Sequence, residues 1–498
     1  MKDMYIVRIH VNNVTSQLQF DQGFDEGLRK YLIELLMREL SFKPKGFQYT
    51  TAYRNGQWDG YIYLLNPKFL TFPTGLLTRV TTTLQTAGCH VDLNDLRERP
   101  VPQEVAIERA QHLTLHGITL RDYQRQAIID AIIHERGLIS MGTGGGKTEV
   151  AAGIIAALQV RTLFIVHLKT LLTQTTNRLS DRLGEPVATL GGGTYQLGEI
   201  TVASIQTLHR HLQALKPYLA TVKLVIVDEA HHVSNNSYLD VLKATQAYYR
   251  FGLSGTPLDR SDGSSLITIG MLGEVIHHTS SSDLITRNLL TRPTIVFIPI
   301  KKHLAFPEGE NLIDWREIYE QGIVYNHYRN TVIAHVVKTL LAKGKRHILI
   351  IVKEVAHGEE LQRVLAEHNI TAPLLWSNTG TTTIQETVAK FRHGVIPVII
   401  SSPIFDEGID IPEIDAMVMA GGGESTIKTI QRIGRGVRKS TSKQELLVVD
   451  FMDEHHYVLE RHSKSRIRAC RREKEFQVIT EGGERRNERR GSVPETVR

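Results

Sequence analysis

Cysteine is nearly absent: Cys89 and Cys470 are the only two among 498 residues. Two thiols so far apart in sequence build neither a disulfide framework nor a zinc cage, and they point to a reducing cytosol. Long apolar runs are also missing, and none approaches the ~18 residues that a membrane helix needs. Met1-Lys2-Asp3-Met4 leads into alternating polar and apolar residues rather than a signal-peptide core. A membrane is therefore not an expected partner. No short-period repeat or extended low-complexity tract appears. What remains is a globular composition, 41% hydrophobic and 22% charged, long enough for about three domains.

The net charge of +6 is unevenly placed. Residues 461–498 carry twelve Lys or Arg and six Asp or Glu, so residues 1–460 hold 47 of each sign. A basic tail suits a polyanion partner, and it equally suits a solubilising end. Beyond about residue 475, with Gly482-Gly483 and Arg489-Arg490, the chain reads as loose.

Four segments follow from texture. Residues 1–105 read as a small α+β domain, with a strand at 5–11 and a helix over 24–40. Aromatic residues then cluster (Phe47, Tyr49, Tyr53, Trp58, Tyr61, Tyr63), with Arg54 among them. Asn55-Gly56 signals a hairpin turn and Asp59-Gly60 a second turn. The aromatics serve either as a small core, the reading favoured for Trp58 and Tyr61, or as a surface that stacks on unpaired bases. Arg54 is the candidate for a phosphate contact. Arg99-Pro100-Val101-Pro102 reads as a linker. Beyond it, β-branched runs alternate with helical stretches in two blocks, 106–288 and 289–460. The clearest strands are 163–166, 224–227, 348–352, 398–400 and 446–449, which implies parallel sheets covered by helices on both faces. Residues 461–498 form the basic tail.

The chemistry begins at Met141-Gly142-Thr143-Gly144-Gly145-Gly146-Lys147-Thr148, between a strand end at 138–140 and a helical stretch from Glu149. Glycines let backbone N–H groups turn onto phosphate oxygens at a helix N-terminus. Lys147 can reach the β and γ phosphates, and the Thr148 hydroxyl can ligate Mg²⁺. Met141 stands where the strict phosphate-loop pattern has glycine. Further on, the apolar strand Val225-Ile226-Val227 ends in Asp228-Glu229-Ala230-His231. Asp228 suits the Mg²⁺ shell and Glu229 the attacking water. His231 either senses the γ-phosphate or bonds to the next loop. His232 reads as surface.

These residues resemble the superfamily 2 helicases, in the DEAH-type spelling, which implies two tandem RecA-like domains after the small α+β domain, with ATP and Mg²⁺ as cofactors. Within the resemblance, Leu120-Arg121-Asp122-Tyr123-Gln124 is similar to the adenine-recognising segment. Gln124 would pair with the base edge, and Tyr123 or Arg121 would stack. His167, Lys169, Thr170, Gln206, Thr207 and Lys353 fall in motifs that contact the nucleic-acid strand. Leu253-Ser254-Gly255-Thr256-Pro257 resembles the motif that couples hydrolysis to movement. Gly408 and Asp410 lie in the motif that touches both nucleotide and strand, and Arg435 and Arg438 match the arginine fingers.

A narrower resemblance, to the phage UvsW-type helicases, rests on Arg54-Asn55-Gly56-Gln57-Trp58-Asp59-Gly60, Phe72-Pro73-Thr74-Gly75-Leu76 and Gly191-Gly192-Gly193. It implies a 3′-to-5′ DNA motor acting on branched DNA (forks, four-way junctions, R-loops) in recombination, replication-fork remodelling and repair. Two alternatives are a motor on RNA or RNA–DNA hybrids and an ATP-gated nucleic-acid remodeller with little unwinding. Intact Glu229, Arg435 and Arg438 argue against an inactive ATPase.

Overall fold

The structure is a computed structural model that describes residues 5–21, 23–167, 169–255, 258, 263–301, 314–376, 378–402, 411–439, 443 and 445–480. It divides into two compact units, Met1–Ser280 and Ser281–Arg498. The expected α/β architecture is present: a small α+β layer, then two parallel sheets with helices.

In the first unit, the strands Ile6–Val11 and Thr15–Phe20 pair antiparallel, and Ile6–Val11 also pairs parallel with His90–Asp95. The helices Glu26–Glu39 and Leu77–Thr86 bury Leu32, Leu36, Val80 and Leu84 against this sheet. The large sheet has the spatial order Thr194–Tyr195, Ala188–Gly191, Ile200–Ser204, Thr162–Val166, Leu224–Asp228, Tyr249–Ser254, Arg136–Met141, Val275–Thr279. All neighbours are parallel except the first pair. Its strands are nearly continuous apolar runs, because helices cover both faces.

Residues 1–105 share one core with this sheet: Val7, Leu36 and Phe72 belong to the same buried cluster as Leu138, Val227 and Leu272. The seam is tight at Gly75, where an added Cβ would strike the carbonyl oxygens of Ile269 and Gly270. Asn55-Gly56 does not turn a hairpin. Asn55 instead closes the short helix Thr51–Arg54, its N–H bonding back to the carbonyl of Thr51. Asp59-Gly60 does turn the chain, with Gly60 at φ +85°.

The second unit is a seven-stranded parallel sheet in the order Leu374–Leu375, Val398–Ser401, Ile348–Ile351, Ala416–Met419, Leu446–Asp453, Pro293–Ile300, Gln477–Thr480. Residues 461–480, expected in the basic tail, belong to this sheet unit. They complete the helix Tyr457–Arg472 and the edge strand Gln477–Thr480, which pairs with Pro293–Ile300. Arg466 fixes the helix from its buried side through two bonds to Asp450, at 2.9 and 3.0 Å. Arg329 and Asp453 form a second buried pair at 2.8 Å. Among the described residues no helix is long and apolar enough to cross a membrane.

Two outcomes follow from this packing. Gly75→Ala should cost about 1–3 kcal/mol or more, because only backbone could move to admit the methyl group. A denaturant midpoint equal to wild type would contradict the seam. The second concerns His357, which is fully buried and bonds Asn330 Oδ1 through Nε2 at 3.1 Å. Burial, then the charge of Arg329, holds its pKa well below the ordinary value. Above pH ~6.5 the ring is neutral in both folded and unfolded chains, so it has no effect on stability there. Below that, the unfolded chain gains the proton and stability falls, by up to ~1.4 kcal/mol per pH unit. Unfolding measured from pH 8 to pH 5 should show this extra fall in wild type and not in His357→Gln; parallel curves would contradict it.

Candidate functional site

The strand Arg136–Met141 ends beneath a glycine loop, and the helix Lys147–Leu158 starts directly after it. Gly144 and Gly146 adopt left-handed backbone, at φ +84° and +89°. Met141 is fully buried, and a Cβ on Gly145 would strike its side chain. Methionine at that position therefore fills the space under the loop, and glycine at 145 makes room for it. Gly142 N–H bonds the carbonyl of Thr279 and Gly145 N–H that of Gly142, which holds the loop from within. Thr143 and Thr148 are half-buried.

Tyr123 and Gln124 are both buried and converge on this loop from the helix Asp122–His134. Tyr123 Oη and Gln124 Nε2 both donate to the Gly145 carbonyl, at 2.9 and 3.0 Å. Gln124 Oε1 accepts from Arg121 N–H at 3.0 Å, and Arg121 Nη1 donates to Tyr123 Oη at 3.1 Å. The Gln124 amide is thus engaged at both ends, its Nε2 on the phosphate loop and its Oε1 on the Arg121 N–H. Arg121 is the exposed member of the three.

Facing the loop, the strand Leu224–Asp228 ends at the carboxylate pair. Glu229 turns sharply at φ +50°, and its N–H bonds Asp228 Oδ1 at 3.0 Å. Glu229 Oε1 lies 3.8 Å from Lys147 Nζ. Burial, then the charge of Glu229, pushes the Asp228 carboxyl up to about 6. In this site the charge of Lys147 acts on both carboxylates. The site's oxygen donors, the Asp228 carboxylate and Thr148 hydroxyl, suit a hard cation that keeps waters and phosphate oxygens in its shell. The residues present therefore fit Mg²⁺.

His231 joins the carboxylates to the next strand end: Nδ1 is 3.3 Å from Glu229 Oε2 and 3.3 Å from Ser254 Oγ. His232, read from sequence as surface, is half-buried and stacks on His167, with ring centroids 3.9 Å apart and planes 14° apart. The His231 and His232 rings lie 4.2 Å apart. Burial, then the charge of His231, lowers the pKa of His167. The carbonyl of His167 accepts from Gln206 Nε2 at 2.8 Å. Ser204 caps the helix Ile205–Arg210, accepting from Thr207 N–H and bonding the Thr207 hydroxyl at 2.8 Å. A connected path thus runs from Glu229 through His231, His232 and His167 to Gln206 at the start of that helix. A histidine pair after an Asp-Glu strand end is the signal that could have marked His232.

Other candidates lie elsewhere. Arg54 is exposed, with its guanidinium 6.0 Å from the Tyr49 ring. Trp58 is half-buried and donates to the Tyr61 carbonyl at 2.7 Å, while Tyr49 and Tyr61 are exposed, so this cluster is only partly core. In the second unit, Lys353 Nζ sits 4.2 Å from the Tyr319 ring. Arg435 and Arg438 are half-buried at the end of the helix Thr426–Gly436. Buried Lys443 steadies the turn between them by donating to the carbonyls of Gly436 and Arg438. Burial lowers its pKa to about 8. Gly408 and Asp410, Thr256-Pro257, and the side chains of Lys169 and Thr170 lie outside the described residues.

A family model described as "Type III restriction enzyme, res subunit" matches residues 117–259, and one described as "Helicase conserved C-terminal domain" matches residues 331–440. The chain is 26% identical over 360 residues to the DNA 3'-5' translocase XPB2 of Sulfurisphaera tokodaii, covering 66% of this chain and 81% of that one. It is 24% identical over 438 residues to the ATP-dependent DNA helicase uvsW of Enterobacteria phage T4, covering 83% of this chain and 85% of that one. The solved structure of Saccharomyces cerevisiae Dbp5 bound to RNA and ADP BeF3 has the same fold, with a TM-score of 0.51 at 12% identity over 76% of this chain and 93% of that one. One model falls on each parallel sheet, and together with these relatives they put the chain among the superfamily 2 helicases, as a nucleic-acid-dependent ATPase.

Proposed function

We propose that this helicase is a DEAH-type DNA motor of the UvsW kind. It moves 3′ to 5′ along its tracking strand and remodels forks and four-way junctions. The observation that carries the coupling is the path Glu229–His231–His232–His167–Gln206, which links the carboxylate at the phosphate site to a helix start assigned to strand contact. DNA as the substrate is favoured by the names of the two relatives above, a DNA translocase and a DNA helicase.

In this reading the backbone N–H groups of residues 142–147 cradle the ATP phosphates, and Lys147 neutralises the β and γ oxygens. Thr148 and Asp228 would hold Mg²⁺, which supplies further charge neutralisation at those oxygens. Glu229 orients the attacking water and accepts its proton. As the phosphate departs, the charge facing Glu229 changes, and His231 passes the change to Ser254 and His232. Arg435 and Arg438 act as arginine fingers, neutralising charge on the transferring phosphoryl oxygens. Phosphate contacts through His167, Gln206, Thr207 and Lys353 grip the strand without reading its sequence.

Lys147→Ala should abolish ATP turnover while DNA affinity stays within a few-fold of wild type; near-normal turnover would remove the phosphate-loop assignment. Arg435→Ala should lower turnover by roughly 10³–10⁵, the worth of an arginine finger. His232→Ala should lower the ratio of DNA-stimulated to unstimulated turnover about tenfold, equivalent to ~1.4 kcal/mol of coupling. A ratio equal to wild type would show that the stacked rings carry no coupling.

A further inference from the structure

The helix Tyr457–Arg472 has one face buried and one face basic. His462, Ser463, Arg466, Ile467, Ala469 and Cys470 point inward. Arg461, Lys464, Arg468, Arg471 and Arg472 are all exposed. At 100° per residue these five fall within an arc of about 100°, a stripe running roughly 16 Å along the helix. The only acidic residue in the helix is Glu460, paired with Lys464.

At its N-terminal end this stripe runs into a cavity of about 570 Å³, within the ~300–1,000 Å³ span of small-molecule sites. Arg461 belongs to both the stripe and the cavity wall, and Tyr457, one turn earlier, lines the cavity too. Tyr457 is 74% exposed, which is far more than a core tyrosine would be. Trp315 and Lys353 also line the cavity, with the Lys353 ammonium 5.6 Å from the Trp315 ring. The floor is the glycine run Gly421–Gly423, where Gly422 and Gly423 both take positive φ and a Cβ on Gly423 would meet open space. Arg466, also in the wall, is neutralised by Asp450, and Lys353 and Arg461 line the same cavity. The cavity is thus lined by the rings of Trp315 and Tyr457, by the cations Lys353 and Arg461, and by bare glycine backbone.

We infer that the second unit carries an additional strand-binding site, in which the Trp315–Tyr457 cavity takes one unpaired nucleobase and the Arg461–Arg472 stripe follows the phosphates of the same strand. The site rests on the reading of the chain as a nucleic-acid motor. Flat aromatic walls accept any base, and the stripe reads only phosphate, so the site is indifferent to sequence. It would hold an unpaired strand while the other motif residues step along it, Lys353 being common to both.

The test is anisotropy binding of a labelled oligo-dT strand to the full chain across a salt series. Replacing Arg461, Arg468 and Arg471 together by Gln should flatten the slope of log affinity against log salt by about two. The charge-matched triple Lys338→Gln, Lys343→Gln and Arg363→Gln, at exposed positions of the same unit, should leave the slope as it is. Equal flattening by both triples, or by neither, would overturn the stripe. Tyr457→Ala should weaken oligo-dT about tenfold and leave an abasic strand of the same length unaffected. An equal loss on both strands, or on neither, would overturn the base pocket. A wild-type chain that binds no strand at all would overturn the motor reading itself, a failure distinct from a wild type that binds while its stripe variant keeps its slope.

Discussion

A parallel sheet ends all its strands on one edge, and the site in the first unit depends on that constraint. The loops after Arg136–Met141, Thr162–Val166, Ile200–Ser204, Leu224–Asp228 and Tyr249–Ser254 carry the phosphate loop, His167, Gln206, the carboxylate pair and Ser254. Sites of this kind form at the carboxyl ends of the strands because the loops converge there. Five loops distant in sequence thereby become neighbours. Lys147 meets Glu229, and Glu229 meets His231, without any loop having to travel.

Much of this was legible in the sequence because the chemistry restricts the residue types. Cradling a phosphate needs glycines before a helix, and an apolar strand ending in Asp228-Glu229 has few other uses beside such a loop. What escaped was local geometry that composition does not encode. Asn55-Gly56 has the residues of a hairpin turn, but Thr50 accepts from Tyr53 N–H and starts a helix that Asn55 then closes. Gln124 has the chemistry to read a base, yet the Gly145 carbonyl lies within reach and takes its amide. His232 looked like surface because its partner, His167, lies on another strand end.

The charge distribution was read correctly as a count and incompletely as a structure. Seven of the twelve cations in residues 461–498 lie within the described segment up to residue 480. The difference comes from burial: Arg466 finds Asp450 in the sheet, and around that pair Leu459, Ile467 and Cys470 pack. Burial pushes the Cys470 thiol up to about 12, so it stays protonated as an apolar filler. A basic segment anchored on one side must show its remaining cations on the other, and the exposed stripe is the consequence.

The central claim is that ATP turnover at the first unit drives rearrangement of branched DNA. The most direct measurement is ATP-dependent conversion of a synthetic four-way junction, run beside a forked duplex and a matching RNA–DNA hybrid. The account predicts junction and fork conversion with ATP and none with a non-hydrolysable analogue. ATP hydrolysis without any DNA product, or conversion of the hybrid alone, would contradict it.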